Sequence, residues 1–251
     1  MEKKFLNKGY ITSKVEDAKA LKYISQFIKK KLAKYLKCNS KKILFNTLHK
    51  KIPKNRLNEI RVRLIKSINK DKKLRECYFN LAKKNIFNIV GNELAMQKNI
   101  NLSIQLPGDE DSLLPLHSDT WSGDSPFETV LWVPLVNCYK TKSMFILEST
   151  HYNKFRKIYK KIKNSSSQKL YSKIKKDLNY LRVNYGNFLL FNQNLPHGNS
   201  INITKETRVS LNCRFKGLFT PYKQKKIGEF FSPLIIKPAS KIGLKYKYPD
   251  E

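Results

Sequence analysis

The chain has 251 residues, of which 40% are hydrophobic and 28% charged, and its formal net charge is +32. This length and composition allow one sizeable buried core, which excludes a disordered chain and predicts a single domain. Because no run of about 18 apolar residues occurs and the N-terminus lacks a signal-peptide core, we expect a cytoplasmic protein without a membrane span.

The basic charge is unevenly distributed along the chain. Residues 1–100 carry 27 Lys and Arg against 7 Asp and Glu, whereas residues 101–150 carry 2 against 7. Two interpretations stay open. Solvated, lysine-rich helix faces are the commoner origin of such charge runs, and we favour them. The alternative is an anionic partner or substrate.

The first hundred residues are predicted to be mainly helical. Ser13 and Glu16 have the spacing of a capping box, and apolar residues then recur at helical intervals as far as Leu36. This pattern predicts a first helix of about six turns. The same periodicity predicts helices over 57–69 and 74–89.

Short β-rich runs bounded by turn residues begin near residue 100. In chain order they are NLSIQL, LLPLHSD, ETVLWVPLV, SMFILES, YLRVNY, NFLLFN, HGNSIN and TRVSLNCRF. Eight such runs predict a sandwich or barrel of two sheets. A basic segment over about 152–178 interrupts them, with an NSSS break between two helical stretches, and we interpret it as a surface insertion.

The expected organisation is therefore one α+β domain that is mainly β with added helices. A helical N-terminal region over 1–99 is expected to pack on a β core over 100–220. The core contains the basic insertion at 152–178, and a C-terminal extension follows over 221–251.

The segment LLPLHSDTW contains a candidate pair of metal ligands. His117 and Asp119 are two residues apart on a predicted strand, so their side chains would point to one face and chelate one ion. His197, in NLPHGNS, is a candidate third ligand from a neighbouring strand. Two imidazoles and a carboxylate leave three open positions on iron(II), which suit a bidentate 2-oxo acid and dioxygen.

A candidate carboxylate site follows the third ligand. Arg208 and Ser210 are eleven and thirteen residues after His197 and two apart on a predicted strand. A guanidinium and a hydroxyl on one face can bind a carboxylate, such as the distal end of 2-oxoglutarate. The turn NITKE is predicted to join the two strands as a hairpin, which would place metal and carboxylate site on one sheet.

Three further residues are weaker site candidates. Gln105 precedes the His-x-Asp segment and could touch 2-oxoglutarate, with a surface-facing side chain as the alternative. Trp121, in a loop, is a better candidate for stacking on a substrate than Trp132, which is predicted to lie in the core. Arg214 is six residues after Arg208 on the same predicted strand, so its side chain would point to the same face. It could meet an anionic substrate there.

With these residues identified, the chain resembles the iron(II)- and 2-oxoglutarate-dependent dioxygenases of the phytanoyl-CoA hydroxylase-like branch. The stretches HSDTWSGDSPFETVLWVPLV, TKSMFILESTHY and YGNFLLFNQNLPHGNSINITKETRVSLNCRFK are similar to a group of such oxygenases found with carbohydrate biosynthesis genes. The resemblance implies a double-stranded β-helix of the jelly-roll or cupin kind. It also implies that His117, Asp119 and His197 bind iron(II), and that Arg208 with Ser210 binds the 2-oxoglutarate C5 carboxylate.

The implied function is oxidation of a small molecule, with 2-oxoglutarate and dioxygen as co-substrates and succinate and CO2 as products. A carbohydrate-related, anionic and nucleotide-linked substrate fits the resemblance and the charge. Two alternatives remain. A nucleic-acid-modifying oxygenase would use the basic charge, although no RNA or DNA module is recognisable. A non-catalytic metal-binding β-helix protein is disfavoured by the Arg208 and Ser210 pair.

Overall fold

The computed structural model describes residues 1–162 and 166–249 and consists of helices around two sheets. The α-helices are α1 (Glu2–Lys8), α2 (Ala18–Tyr35), α3 (Leu57–Lys70), α4 (Lys72–Asn80), α5 (Lys83–Val90), α6 (Tyr152–Ile162), α7 (Ser167–Ile174) and α8 (Pro238–Gly243). The strands are β1 (Tyr10–Lys14), β2 (Leu94–Gln97), β3 (Asn101–Gln105), β4 (Thr129–Pro134), β5 (Phe145–Leu147), β6 (Leu178–Tyr180), β7 (Asn187–Asn192), β8 (His197–Gly198), β9 (Arg208–Gly217) and β10 (Phe231–Ile235).

The strands of the described residues form two antiparallel sheets. The major sheet has seven strands in the order β1-β7-β4-β9-β2-β10, and β3 pairs with β9 beyond the end of β2. The minor sheet has the order β6-β5-β8, and His117 extends it by exchanging two backbone hydrogen bonds with His197, at 2.9 and 2.8 Å. Two such sheets around a shared interior form a double-stranded β-helix, which confirms the predicted fold class.

Strand β9 lies at the centre of the major sheet and decides which side chains face the interior. It pairs with β4 on one side and with β2 and β3 on the other. Because side chains alternate along a strand, one face of β9 carries its even-numbered residues and the other its odd-numbered residues. The face towards the minor sheet carries Arg208, Ser210, Asn212 and Arg214.

The N-terminal helices cover the outer face of the major sheet. The ring of Phe79 in α4 lies 6.0 Å from the ring of Phe215 in β9. The buried hydroxyl of Tyr78 donates a 2.7 Å hydrogen bond to the carbonyl oxygen of Leu131 in β4. Residues of these helices and of the major sheet belong to one hydrophobic core, as the predicted packing of helices on a β core requires.

The major sheet extends beyond the predicted 100–220 core in both directions. Strands β1 and β2 lie within the predicted helical region, and β10 lies within the predicted C-terminal extension. Strand β1 is an edge strand that pairs with β7, far away in the sequence. The five residues of β1 carry little periodic signal of their own, so their pairing partner decides their conformation.

The capping box predicted at Ser13 and Glu16 is wrong. Ser13 lies within β1, and α2 begins after Asp17, whose carboxylate accepts a 2.9 Å hydrogen bond from the amide of Ala20. Glu16 instead accepts hydrogen bonds from two backbone amides in the first turn of α5. Helix α2 has 18 residues, about five turns and not six.

Asp17→Ala is expected to lower the free energy of unfolding by about 1 kcal/mol, because it removes the side-chain acceptor at the N-terminus of α2. Ser13→Ala is the matched control, since the Ser13 side chain caps no helix. Chemical denaturation of the two variants measures the difference. An equal loss in both would contradict the assignment of Asp17 as the cap.

The remaining helical predictions have mixed outcomes. Helix α3 confirms the helix over 57–69, whereas the segment 74–89 contains parts of two helices, α4 and α5, with a break at Leu81 and Ala82. The insertion over 152–178 forms α6 and α7, which pack on the outer face of the minor sheet. Its NSSS break lies partly outside the described residues. No helix within 1–162 or 166–249 combines the length and apolar character needed to span a bilayer.

Candidate metal centre

A cavity of about 270 Å³ lies between the two sheets. The major sheet forms one wall through side chains of β3, β4, β7 and β9. The opposite wall comes from the segment before the His-x-Asp pair, from Met144 beside β5, and from β8 with the residue that follows it. The cavity therefore lies where a double-stranded β-helix is open to a ligand.

Three predicted ligands meet at this cavity. His117, Asp119 and His197 bring one possible ligand atom each within 4.8 Å of one another. The two imidazole centroids are 4.4 Å apart, and His117 Nε2 lies 3.6 Å from Asp119 Oδ1. The backbone pairing of His117 with His197 across the minor sheet brings the two imidazoles together.

The backbone at Asp119 does not have the predicted strand conformation. The segment before it forms only the bridge at His117, and Asp119 begins a 3-10 turn that ends at Ser122. The amide of Asp119 donates to the carbonyl oxygen of Gln193 at 3.3 Å, and the Ser118 hydroxyl lies 3.2 Å from the same oxygen. The side chains of His117 and Asp119 therefore come together as predicted, but not because they alternate along one strand. The 3-10 turn and its contacts with the β7–β8 loop position Asp119.

Both imidazoles are oriented by backbone carbonyl groups. His117 Nδ1 lies 2.7 Å from the carbonyl oxygen of Pro115, and His197 Nδ1 lies 2.8 Å from that of Leu195. A carbonyl oxygen only accepts hydrogen bonds, so each Nδ1 carries the proton. The Nε2 atoms are then left with lone pairs for a metal ion.

The electrostatics at Asp119 and His197 favour the protonation states that metal binding needs. Burial lowers the pKa of His197 to about 4. Burial would lower the pKa of His117 as well, but the nearby Asp119 carboxylate outweighs that effect and raises it. Burial alone would raise the pKa of Asp119, but the neighbouring His117, His197 and Arg214 outweigh that effect and lower the pKa to about 2. At neutral pH, Asp119 is therefore charged and His197 is neutral.

Arg214 lies against the candidate carboxylate ligand. Its Nη2 is 3.2 Å from Asp119 Oδ2, and its Nη1 is 2.9 Å from Asp124 Oδ2. Asp124, with a side chain only 1% exposed, also pairs with Lys225 at 2.8 Å. The guanidinium thus holds one oxygen of Asp119 while the other faces His117. Contact of Arg214 with a substrate stays a prediction.

Arg208 lies on the major-sheet wall of the cavity, at the opposite end of the wall from Arg214. It is 3% exposed, and its Nη2 donates a 3.0 Å hydrogen bond to Ser103 Oγ. Its Nε has no hydrogen-bond partner, and no carboxylate of the described residues pairs with it. Burial lowers the pKa of this guanidinium. A buried cation without a counter-ion is unfavourable, so this position is suited to an anionic ligand.

Ser210 lies two residues after Arg208 on β9, on the same face of the strand. It is fully buried, and its hydroxyl has no hydrogen-bond partner among the described residues. It does not itself line the cavity, whereas Ser103, directly opposite it on β3, does. Its part in carboxylate binding stays a prediction.

The predicted hairpin between His197 and Arg208 is wrong. Strand β8 pairs with β5 of the minor sheet, and β9 pairs with β3 and β4 of the major sheet. The NITKE segment folds on itself, because the Asn202 amide group donates a 2.8 Å hydrogen bond to the carbonyl oxygen of Glu206. The chain therefore crosses between sheets, and the candidate metal ligands face Arg208 across the cavity.

Gln105 is buried within the protein, which excludes the surface-facing alternative. It lies directly opposite Arg208 on β3, and its Nε2 donates to the carbonyl oxygen of Ser200 at 2.8 Å. Its Oε1 has no partner among the described residues, but the side chain is not one of those that line the cavity. Contact with 2-oxoglutarate stays a prediction.

The two tryptophans lie in different surroundings. Trp121 is 39% exposed and stacks on Phe155 and Tyr159 of α6, at centroid distances of 6.0 and 5.1 Å. It joins the turn that begins at Asp119 to the insertion and does not line the cavity, so substrate stacking by Trp121 stays a prediction. Trp132 is buried as expected for a core residue, but it also lines the cavity.

Sequence reasoning missed three polar residues on the major-sheet wall of the cavity. Asn101 and Ser103 lie on β3, and Asn212 lies on β9 between two candidate residues. The signal was present, because strand alternation in NLSIQL places Asn101 and Ser103 on the face of Gln105. The same alternation places Asn212 on the face of Arg208.

No protein-family model and no curated protein sequence matches the chain. Solved structures do. ThoJ, described as a non-heme monooxygenase in a nickel complex, is 12% identical with a TM-score of 0.52, and the match covers 93% of this chain and 84% of ThoJ. HygX from Streptomyces hygroscopicus, with nickel and 2-oxoglutarate bound, is 13% identical with a TM-score of 0.52, covering 90% of this chain and 88% of HygX. HygX has also been solved with hygromycin B. At this level of identity the likeness shows that the chain shares the fold of ThoJ and HygX.

Proposed function

We propose that this chain is an iron(II)- and 2-oxoglutarate-dependent dioxygenase that hydroxylates a small molecule. One observation carries the proposal: the three candidate metal ligands line the same cavity as Arg208, a buried guanidinium without a carboxylate partner among the described residues. A metal and a dicarboxylate are the two ligands that these groups suit. HygX, which shares the fold, holds nickel and 2-oxoglutarate.

The donor set fits iron(II). Two imidazole nitrogens and one carboxylate oxygen from His117, Asp119 and His197 would hold the ion and leave positions open for other ligands. Iron(II), when bound, would supply the redox chemistry that couples decarboxylation of 2-oxoglutarate by dioxygen to hydroxylation of the substrate, with succinate and CO2 released. The protein residues need only bind, orient and exclude water.

Residues at the site are suited to binding, to orienting ligands and to excluding water. Backbone carbonyls hold the two imidazoles, and Arg214 holds Asp119 in one orientation. We assign Arg208, with Ser210 and Gln105 nearby, to the distal carboxylate of 2-oxoglutarate. The apolar side chains of the wall limit water at the metal, which disfavours oxidation without substrate.

The narrower parts of the proposal rest on the sequence resemblance and on composition. We place the chain in the phytanoyl-CoA hydroxylase-like branch, with a carbohydrate-related substrate and a cytoplasmic location. The net charge of +32 supports an anionic group on that substrate. HygX with hygromycin B bound is an example of this fold with a small-molecule ligand.

Anaerobic addition of iron(II) and 2-oxoglutarate to the purified protein is expected to produce a visible metal-to-ligand charge-transfer band, because 2-oxoglutarate would chelate the metal. On prolonged exposure to oxygen, succinate should form in amounts equal to the 2-oxoglutarate consumed, and slowly, because the site disfavours oxidation without substrate. The same protein treated with a chelator is the control. A metal-binding β-helix protein without catalysis would bind iron and form no succinate, and that result would contradict the proposed function.

A further inference from the structure

A pair of carboxamides lies on the cavity wall between Arg208 and Arg214. Asn101 and Asn212 are directly opposite each other on β3 and β9, and both line the cavity, with Asn101 exposed and Asn212 half-buried. Asn101 Nδ2 donates a 3.0 Å hydrogen bond to Asn212 Oδ1. Along β9, Asn212 is four residues from Arg208 and two from Arg214, so the pair lies towards the metal end of the wall.

Most of the hydrogen-bonding capacity of this pair is unused. Two carboxamides carry four N–H donors and two carbonyl oxygens. Their mutual hydrogen bond uses one donor, and no other side-chain or backbone partner of either carboxamide occurs among residues 1–162 and 166–249. The pair therefore presents donors and acceptors side by side to whatever enters the cavity.

The charged groups that line the cavity are already committed to other partners. Arg214 is paired with Asp119 and Asp124, and Arg208 is assigned to 2-oxoglutarate. The two histidines and Asp119 are assigned to the metal. An anionic group beside Asn212 would meet no free cation among the described lining residues, so the subsite favours an uncharged group.

An aromatic side chain lies next to the carboxamide pair on the same wall. Trp132 lies directly opposite Asn212 on β4 and lines the same cavity. The row across the sheet thus contains two neutral hydrogen-bonding groups followed by one flat apolar side chain. A hydroxylated ring has the matching surface, because its edge carries hydroxyl groups and its faces carry C–H groups.

We infer that Asn101 and Asn212, with Trp132 beside them, bind an uncharged ring that carries adjacent hydroxyl groups, such as a sugar or a cyclitol, and present it to the metal. This inference rests on the proposed function and specifies its substrate class. Each hydroxyl group both donates and accepts, so a carboxamide pair discriminates between a hydroxylated ring and an alkyl ring. A phosphate or nucleotide on the same molecule would lie outside the cavity.

The test uses the full-length protein loaded with nickel(II) and 2-oxoglutarate, which fills the site without turnover. Ligand-observed NMR titrations measure the dissociation constants of myo-inositol, methyl α-glucopyranoside, uridine diphosphate glucose, glucose 6-phosphate and cyclohexanol. At least one hydroxyl-rich probe should bind, with cyclohexanol at least about tenfold weaker. Tighter binding of the nucleotide sugar than of the methyl glycoside would identify a nucleotide-linked source, and the reverse order a free sugar.

Asn212→Leu and Asn101→Leu are each expected to weaken binding of that probe by about tenfold, because each removes hydrogen bonds and retains the branched shape of the side chain. Asn184→Leu, at an exposed position before β7, is the matched control and should leave the affinity unchanged. The inference is overturned if no hydroxyl-rich probe binds, if cyclohexanol binds as tightly, or if both cavity variants bind like the unaltered protein. Binding of glucose 6-phosphate alone would also overturn it.

The charge-transfer band separates this inference from the proposed function. If iron(II) and 2-oxoglutarate give the band and succinate, but the hydroxyl-rich probes do not bind, then the substrate subsite is wrong and the oxygenase assignment stands. If the band and succinate are absent from the unaltered protein, the oxygenase assignment itself fails. The two cavity variants are independent, so misfolding of one still leaves the other as a test.

Discussion

Replacing Asp119 by alanine is expected to weaken iron(II) binding by at least about a hundredfold and to abolish succinate production. Substitutions of residues that merely support metal ligands cost about 10- to 100-fold in affinity, and Asp119 is the only carboxylate in the candidate triad. The variant would also leave Arg214 facing the metal site without its partner on Asp119, and this positive charge would repel a cation.

Asp111→Ala is the matched control for this prediction, because Asp111 lies in the same connecting segment and is exposed. Metal titration of both variants, with thermal unfolding to check the fold, measures the effect. If Asp119→Ala retained full iron occupancy and full succinate production, the carboxylate ligand would have to be another residue.

Replacing Arg208 by lysine is expected to weaken 2-oxoglutarate binding by about 10- to 100-fold, with a much smaller effect on iron binding. Lysine keeps the charge but loses the planar pair of donors that matches a carboxylate, and hydrogen bonds to charged groups contribute about 1.5 to 3 kcal/mol each. The shorter reach of an ammonium group would also leave the hydroxyl of Ser103 without its donor from Arg208.

Anaerobic titration of the charge-transfer band measures the affinity for 2-oxoglutarate in this variant. Arg182→Lys is the matched control, since Arg182 is exposed on the segment between β6 and β7. An unchanged affinity in Arg208→Lys would exclude Arg208 from the carboxylate site and would remove the main support for 2-oxoglutarate as co-substrate.

Short-range spacing in the sequence predicted part of the cavity wall. Arg208, Ser210 and Arg214 were placed on one face because strand alternation depends only on local backbone geometry, and the register of β9 with its neighbours shows that they share a face. The helix over 57–69 was predictable for the same reason, since helical periodicity is a local property.

The relations between distant segments were not predictable in this way. The position of Asp119 depends on a hydrogen bond with Gln193, and the path from His197 to Arg208 depends on which sheet each strand joins. Neither contact leaves a periodic pattern in the chain. Strand β1 was missed because its conformation depends on pairing with β7.

The crossing of the chain between sheets after His197 has a thermodynamic consequence. The triad and Arg208 lie on opposite walls of one cavity, so a metal and a dicarboxylate bound together would tie the two sheets to each other. Each ligand should then raise the affinity for the other by the same factor, because linkage between two equilibria is reciprocal. Ligands that bind only the folded chain also stabilise it by mass action, so we expect the empty protein to be the form most easily unfolded and degraded.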